Sequence, residues 1–179
     1  RKDQDFIYKK EHVLIISEVK NALKILKENG YKLIVITNQP VIARGIASEE
    51  EIKEINNYIN SQLDGMIDKF YVCPHRPDMH PDVPIHAKKY RIVCDCRKPS
   101  PGMILQATKD FNIDLKNSWM IGDMARDIAT GKNANCRTIF IRSAHSDRNP
   151  ISSTPFDINI KADAYAQNLL EATKFILEK

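Results

Sequence analysis

Lys32-Leu33-Ile34-Val35-Ile36-Thr37 is a short, β-branched run that passes directly into the polar turn Asn38-Gln39. Apolar side chains without alternation mark a strand buried on both faces, the kind found in parallel sheets. The flanking segments agree. Before it, Val19, Ala22, Leu23 and Leu26 fall at helical spacing from Ser17, and Gly30 supplies a stop. After it, Ser48 and Glu51 have the spacing of a capping box, and Ile52, Ile55, Ile59 and Leu63 then share one helical face. Residues 69–73 read as a second strand.

The alternation continues. Ser100 and Pro101 are expected to open a helix as N-cap and N1, running to Asn112. Residues 118–121 read as a strand ending in Gly122-Asp123, and 125–132 as a short helix. Residues 137–141 read as a strand, 143–161 as irregular, and 164–177 as a last helix with Leu169, Leu170, Thr173 and Ile176 inward. Repeated β-α alternation predicts an α/β fold with a mainly parallel sheet. The length of 179 residues suits one domain.

Composition narrows the function. Hydrophobic residues make up 42% and charged residues 28%, which excludes a disordered or low-complexity chain. No apolar run approaches the ~18 residues that a membrane span requires. The net charge of +4 is spread without dense Lys/Arg runs, so nucleic acid is not the expected partner. An anionic small molecule is.

Three of the four cysteines cluster with a histidine, as Cys73-Pro74-His75 and Cys94-Asp95-Cys96. In an extended segment, residues i and i+2 point the same way, so each pair can present two donors to one point. The set suits tetrahedral Zn²⁺ with no open position. A disulfide plus a spare thiol is the alternative. Nothing in the sequence suggests secretion, and a cytoplasmic cysteine cluster more often binds metal. Residues 74–93 carry Pro74, Pro77, Pro81 and Pro84 and no apolar period, and a metal clamping both ends would give so long a loop its stability. Cys136 reads as a buried small apolar residue, and His12, His80, His86 and His145 as surface or loop residues.

Ligands of a parallel sheet bind beyond the carboxyl ends of its strands. Three polar sets fall there: Thr37-Asn38-Gln39, Arg97-Lys98 before a helix, and Gly122-Asp123 with Asp127 one turn on. Each alone fits an ordinary turn. Together they supply a hydroxyl, two cations and a carboxylate pair able to face one cation, the inventory for Mg²⁺-assisted chemistry on a phosphate ester.

These motifs resemble the haloacid dehalogenase superfamily of phosphatases. The matching segments are Val35-Ile36-Thr37-Asn38-Gln39 with Ala43-Arg44-Gly45, Cys73-Pro74-His75, Cys94-Asp95-Cys96-Arg97-Lys98-Pro99 with Pro101-Gly102-Met103, and Ile121-Gly122-Asp123 with Asp127. Within the superfamily they look most like the phosphatases of heptose bisphosphates, with the histidinol-phosphate phosphatases as near relatives. The resemblance implies a Rossmann-like three-layer sandwich with a zinc-clamped loop over 73–96. It implies a cytoplasmic, Mg²⁺-dependent phosphatase acting on a phosphorylated sugar, fused to or associated with a sugar nucleotidyltransferase. Thr37 would hold the transferring phosphoryl group, Lys98 would neutralise it, and Arg97 would recognise substrate. Asp123 would bind Mg²⁺ with Asp127 in support. Asp3, Gln4, Asp5, Phe6, Asn38 and Gln39 would line the substrate pocket, and Cys73, His75, Cys94 and Cys96 would hold zinc.

Two departures stand out. The family's D-x-D-G-T motif, which carries the aspartate nucleophile, does not occur in the sequence. It is expected just upstream of Arg1, together with the first strand. Met124 follows Asp123 where the heptose enzymes often carry a lysine. A non-catalytic zinc-stabilised module remains the alternative from a different functional class.

Overall fold

In the computed structural model, residues 7–77, 84–142 and 160–178 are described. Residues 1–97 and 98–179 form two compact units, and each is an α/β assembly of parallel strands. Among the described residues no helix is long and apolar enough to cross a membrane.

In the first unit, α1 (Ser17–Glu28) buries Ala22, Leu23 and Leu26. It ends where Gly30 takes φ +80°, a left-handed conformation that glycine adopts without strain. The Tyr31 N–H then donates to the Leu26 carbonyl and the Gly30 N–H to that of Lys27, which satisfies the free helix carbonyls. β1 (Ile34–Asn38) follows, then a single turn of helix, α2 (Pro40–Ala43), then α3 (Glu49–Gln62). The capping box predicted for α3 is present. Ser48 Oγ accepts from the Glu51 N–H at 3.1 Å, and Glu51 Oε2 accepts from the Ser48 N–H at 2.7 Å. β2 (Lys69–Cys73) pairs parallel with β1 from Ile34↔Lys69 to Asn38↔Cys73. Val41, Ile42, Ala47 and Ile52 form the core beside this ladder, with Val72 and Tyr90 packed on it.

The second unit contains α4 (Gly102–Phe111), β3 (Trp119–Gly122), α5 (Ala125–Asn133), β4 (Arg137–Ile141), β5 (Ala164–Ala166) and α6 (Leu169–Leu177). The strand order is β3-β4-β5, parallel throughout. Helix α5 lies close against the sheet at Gly131, where a Cβ would come within 2.6 Å of Met120 Cβ and Thr138 Cγ2.

Some sequence expectations shift. Helix α4 begins at Gly102, with Pro101 at its N-cap and no side-chain cap from Ser100. Residues 164–166 form a strand, not the start of the last helix. Ala164 and Ala166 are buried while Tyr165 is 66% exposed, an alternation of period two. The helix starts after Asn168, whose side chain accepts from the Glu171 N–H at 2.9 Å. Residues 85–90 form a short 3₁₀ turn, not irregular loop. Of the segment 143–161, only 160 and 161 lie within the described residues.

Both units lock their ladders with an aspartate placed just before a strand. Asp68 accepts from the Leu33 N–H at 2.7 Å and from Lys27 at 2.9 Å, with Lys32 at 3.3 Å. Asp163 accepts from the Thr138 N–H and hydroxyl, both at 2.8 Å, and pairs with Lys132. Partial burial alone would raise the Asp68 carboxyl. The Leu33 N–H and the Lys27 and Lys32 ammoniums outweigh it and hold the group below the usual carboxylate range. A depressed value means that the stabilisation is full above about pH 4 and is lost as pH falls through the folded-state value. Asp68→Asn is therefore expected to destabilise the protein by about 1–2 kcal/mol at pH 7. In urea titrations at pH 7 and pH 3, the gap between wild type and variant should narrow at the lower pH.

Candidate active site and metal centre

Thr37, Asn38 and Gln39 stand where the sequence placed them, at the carboxyl end of β1. Asn38 pairs with Cys73 in the ladder, and the Gln39 N–H donates to the Cys73 carbonyl at 2.8 Å. The Gln39 side-chain amide reaches the Thr37 hydroxyl at 3.4 Å. The ladder's last residue pair therefore fixes both the turn and the first cysteine.

The four cluster residues converge, with all donor atoms within 4.8 Å of one another. Cys73 Sγ lies 3.7 Å from Cys94 Sγ and 3.2 Å from Cys96 Sγ, and Cys94 and Cys96 are 3.3 Å apart. His75 presents Nδ1, at 3.3 Å from Cys96 Sγ and 3.8 Å from Cys73 Sγ. A disulfide would need about 2.05 Å, so all four cysteines are thiols. A tetrahedral ion with metal–sulfur bonds of about 2.3 Å sets its sulfurs about 3.8 Å apart. The donor set fits such a soft ion and falls slightly inside its dimensions. Burial, reinforced by the neighbouring sulfurs, pushes the Cys96 thiol far up, and burial raises that of Cys73. As thiolates, three sulfurs at this spacing would need a cation among them.

The segment that returns to Cys94 is tied down by groups that periodicity does not reveal. The Arg76 N–H donates to the Tyr90 carbonyl at 3.0 Å, and the Tyr90 hydroxyl donates to Glu49. Gly45, at φ +70°, lets Pro84 pack where a Cβ would come within 2.8 Å of its ring. Arg97 Nη1 donates to the His75 carbonyl at 2.8 Å, so the first cation of the pair is held by the backbone of a donor residue.

In the second unit, Lys98 Nζ lies 2.8 Å from Asp127 Oδ1, and the two side chains are 12% and 7% exposed. Asp127 Oδ2 accepts from the Met124 N–H at 3.1 Å and so caps α5. Asp123 stands between β3 and α5, half-buried. Gly122 has a steric role that the sequence reading missed. A Cβ there would collide with the Asp127 side chain, whose Oδ2 would be 2.6 Å away. The spacing of Asp127 three residues after Met124 is the signal that could have shown the cap. Asp3, Gln4, Asp5 and Phe6 lie outside the described residues.

Comparison with known proteins gives a consistent picture. The family described as HAD-hydrolase-like matches residues 95–172. The D-glycero-beta-D-manno-heptose-1,7-bisphosphate 7-phosphatase of Haemophilus ducreyi is 36% identical over 140 residues, covering 76% of this chain and 73% of that protein. The D-glycero-alpha-D-manno-heptose-1,7-bisphosphate 7-phosphatase of Photorhabdus laumondii is 35% identical over 164 residues, covering 89% and 86%. In fold, the chain is similar to the crystal structure of D,D-heptose 1,7-bisphosphate phosphatase from B. bronchiseptica complexed with magnesium and phosphate. That match has a TM-score of 0.76 at 21% identity and covers 97% of this chain and 89% of that one. The expected Rossmann-like α/β class is thereby established.

The close approach at Gly122 yields a direct test. Gly122→Ala is expected to cost about 1–3 kcal/mol by forcing Asp127 off its cap. Thermal denaturation should show this loss, and Gly65→Ala, at a site with nothing within 4 Å, should show only the smaller cost of its φ of +72°.

Proposed function

The chain belongs to the haloacid dehalogenase-like phosphatases, and on that premise we propose that it removes the 7-phosphate from a D-glycero-D-manno-heptose 1,7-bisphosphate, leaving heptose 1-phosphate. The observation that carries the reading is the Cys₃His quartet, set one ladder pair from Thr37 and followed at once by Arg97 and Lys98. Relatives at 34–36% identity act on this substrate under both anomeric names, so the proposal is made for the heptose bisphosphate and not for one anomer.

In this reading the nucleophile is an aspartate preceding Arg1. Its carboxylate oxygen forms a bond to phosphorus as the ester oxygen leaves with a proton from the second aspartate of the D-x-D-G-T motif, which then takes a proton from the water that hydrolyses the aspartyl-phosphate. The Thr37 hydroxyl donates to an oxygen of the transferring phosphoryl group. Lys98 offsets the charge that shifts during transfer. Arg97, whose planar fork suits a second anionic group, recognises the 1-phosphate. Asn38 and Gln39 line the sugar pocket with Asp3, Gln4, Asp5 and Phe6. Asp123 would hold Mg²⁺ with the upstream aspartates, because both oxygens of Asp127 already face other groups. Bound there, the ion supplies Lewis-acid charge at the phosphoryl oxygens.

The metal of the quartet is zinc in this reading, since three sulfurs and one imidazole in tetrahedral array suit it and leave no open position for catalysis. Free thiols are kept by a reducing compartment, which supports a cytoplasmic protein. A sugar 1-phosphate is the substrate of nucleotidyl transfer, so a sugar nucleotidyltransferase is the fitting associated partner.

The experiment is phosphate release by the complete protein, including the residues before Arg1. One phosphate per heptose bisphosphate is expected with Mg²⁺ present, with about one zinc per chain by elemental analysis. Asp123→Asn should lower kcat roughly 10²-fold or more. Turnover of histidinol phosphate in place of the bisphosphate would replace the substrate assignment, and a Cys94–Cys96 disulfide with no zinc would end the metal assignment.

A further inference from the structure

We infer that the cleft between α3 and β2 is a second binding site, one that takes a neutral sugar. The cleft encloses about 520 Å³, a volume in the range of small-molecule pockets. One wall is α3, with Asn56, Asn57 and Asn60. The other is β2, with Phe70 and Val72 on one face of the strand. None of the lining residues belongs to the phosphate site proposed above.

Asn56 is the residue that points to a ligand. It stands one turn after Ile52 and next to Ile55 on the buried stripe of α3, and it is only 7% exposed. A carboxamide buried there without a partner costs about 1–3 kcal/mol. Asn60, one turn further on, avoids that cost. Its amide donates to the Ile67 carbonyl at 3.1 Å and accepts from the Ile67 N–H at 2.9 Å. Among the described residues no group bonds to the Asn56 side-chain amide, which lines the cleft. It offers a carbonyl acceptor and N–H donors to whatever enters.

The other groups of the cleft decide the chemical class. Its charged side chains are already paired: Lys53 with Glu50 at 3.3 Å, Asp68 with Lys27 at 2.9 Å, and Glu49 with the Tyr90 hydroxyl. By strand alternation the Lys69 side chain stands on the opposite face of β2 from Phe70 and Val72. The cleft therefore offers hydrogen bonds without a spare charge, beside an apolar floor of Ile67, Phe70 and Val72. A sugar ring matches both halves. Its hydroxyls donate to and accept from Asn56, with Asn57 at the exposed rim, and its C–H face packs on the Phe70 ring. A phosphorylated sugar finds no counter-charge here, which separates this ligand from the substrate of the phosphatase.

The test is an NMR titration of the complete, nitrogen-labelled protein with D-mannose, D-galactose and maltose. At least one of these sugars should move the Asn56 side-chain N–H signals and the backbone N–H signals of Phe70 and Val72 along one saturating curve. Asn56→Leu keeps the volume and removes the hydrogen bonds. Read at Phe70 and Val72, it should weaken that binding at least about 10-fold, and Asn56→Ala serves if the leucine variant folds poorly. Phosphatase kcat and KM should be unchanged in both variants. Mannose 6-phosphate should bind at these signals no more tightly than mannose. Three results would each overturn the inference: no saturable shift with any of the three sugars, which leaves the cleft to water alone; shifts that persist undiminished in Asn56→Leu; and clearly tighter binding of mannose 6-phosphate, which would make the ligand an anion.

Discussion

The pairing of Cys73 with Asn38 at the carboxyl end of the β1–β2 ladder is the constraint on which the first unit is organised. Cys73 is completely buried, ends a strand, and offers its sulfur to the quartet while its carbonyl accepts from the Gln39 N–H. A ladder residue cannot slip by one position without reversing its side chain. The register of β1 against β2 therefore also sets where the quartet stands relative to Thr37. From this fixed point the other donors follow. His75 is two residues on, its carbonyl accepts from Arg97, and Arg97 immediately follows Cys96. The segment 84–97 contributes little core of its own, with Ala87 its one buried residue among those described. Its position depends on the quartet, the Arg76–Tyr90 backbone bond and the Tyr90–Glu49 contact.

The same electrostatic device recurs at the opposite, amino ends of the ladders. Asp68 precedes β2 and binds the Leu33 N–H beside β1, and Asp163 precedes β5 and binds the Thr138 N–H in β4. Each also meets a lysine from the last turn of a helix, Lys27 of α1 and Lys132 of α5. A parallel ladder leaves N–H groups unpaired where one strand starts before its neighbour. A carboxylate on the residue before the strand satisfies such a group, and the lysine compensates its charge. The sequence contains no repeat that would announce this. The likeness arises from a shared geometric need, met by single residues about a hundred positions apart.

What could be read from residues alone follows from how local each signal is. The Ser48–Glu51 box lies within four residues and was legible. The quartet was legible because both pairs share one-residue spacing, which fixes direction in an extended chain. The strand at Ala164–Ala166 was not, because two alanines around one tyrosine carry almost no periodicity and the neighbour that makes them a strand is β4. The 3₁₀ turn at Ile85–Tyr90 was hidden for a similar reason, since its support comes from Gly45 and from α2. Asp127 was read as supporting Asp123, and the structure adds its cap on Met124 and its ion pair with Lys98. Two carboxylates four apart fit shared ligation and helix capping equally well, and that spacing shows neither the space at Gly122 nor the nearness of Lys98.

Arg97 and Lys98 adjoin in sequence, yet they are held by unlike partners, and the difference suits different work. Arg97 donates to a neutral carbonyl, and that contact does not cancel its charge. Lys98 is held by a carboxylate, so its field is largely compensated at rest. A compensated ammonium attracts substrate weakly from a distance. It can still direct its other N–H bonds at a phosphoryl oxygen close by, where short-range geometry outweighs net charge. An ammonium held so rigidly also avoids the rotamer entropy that a free lysine would lose on binding. Within the proposed function, these contacts support recognition by the arginine and contact with the transferring phosphoryl group by the lysine.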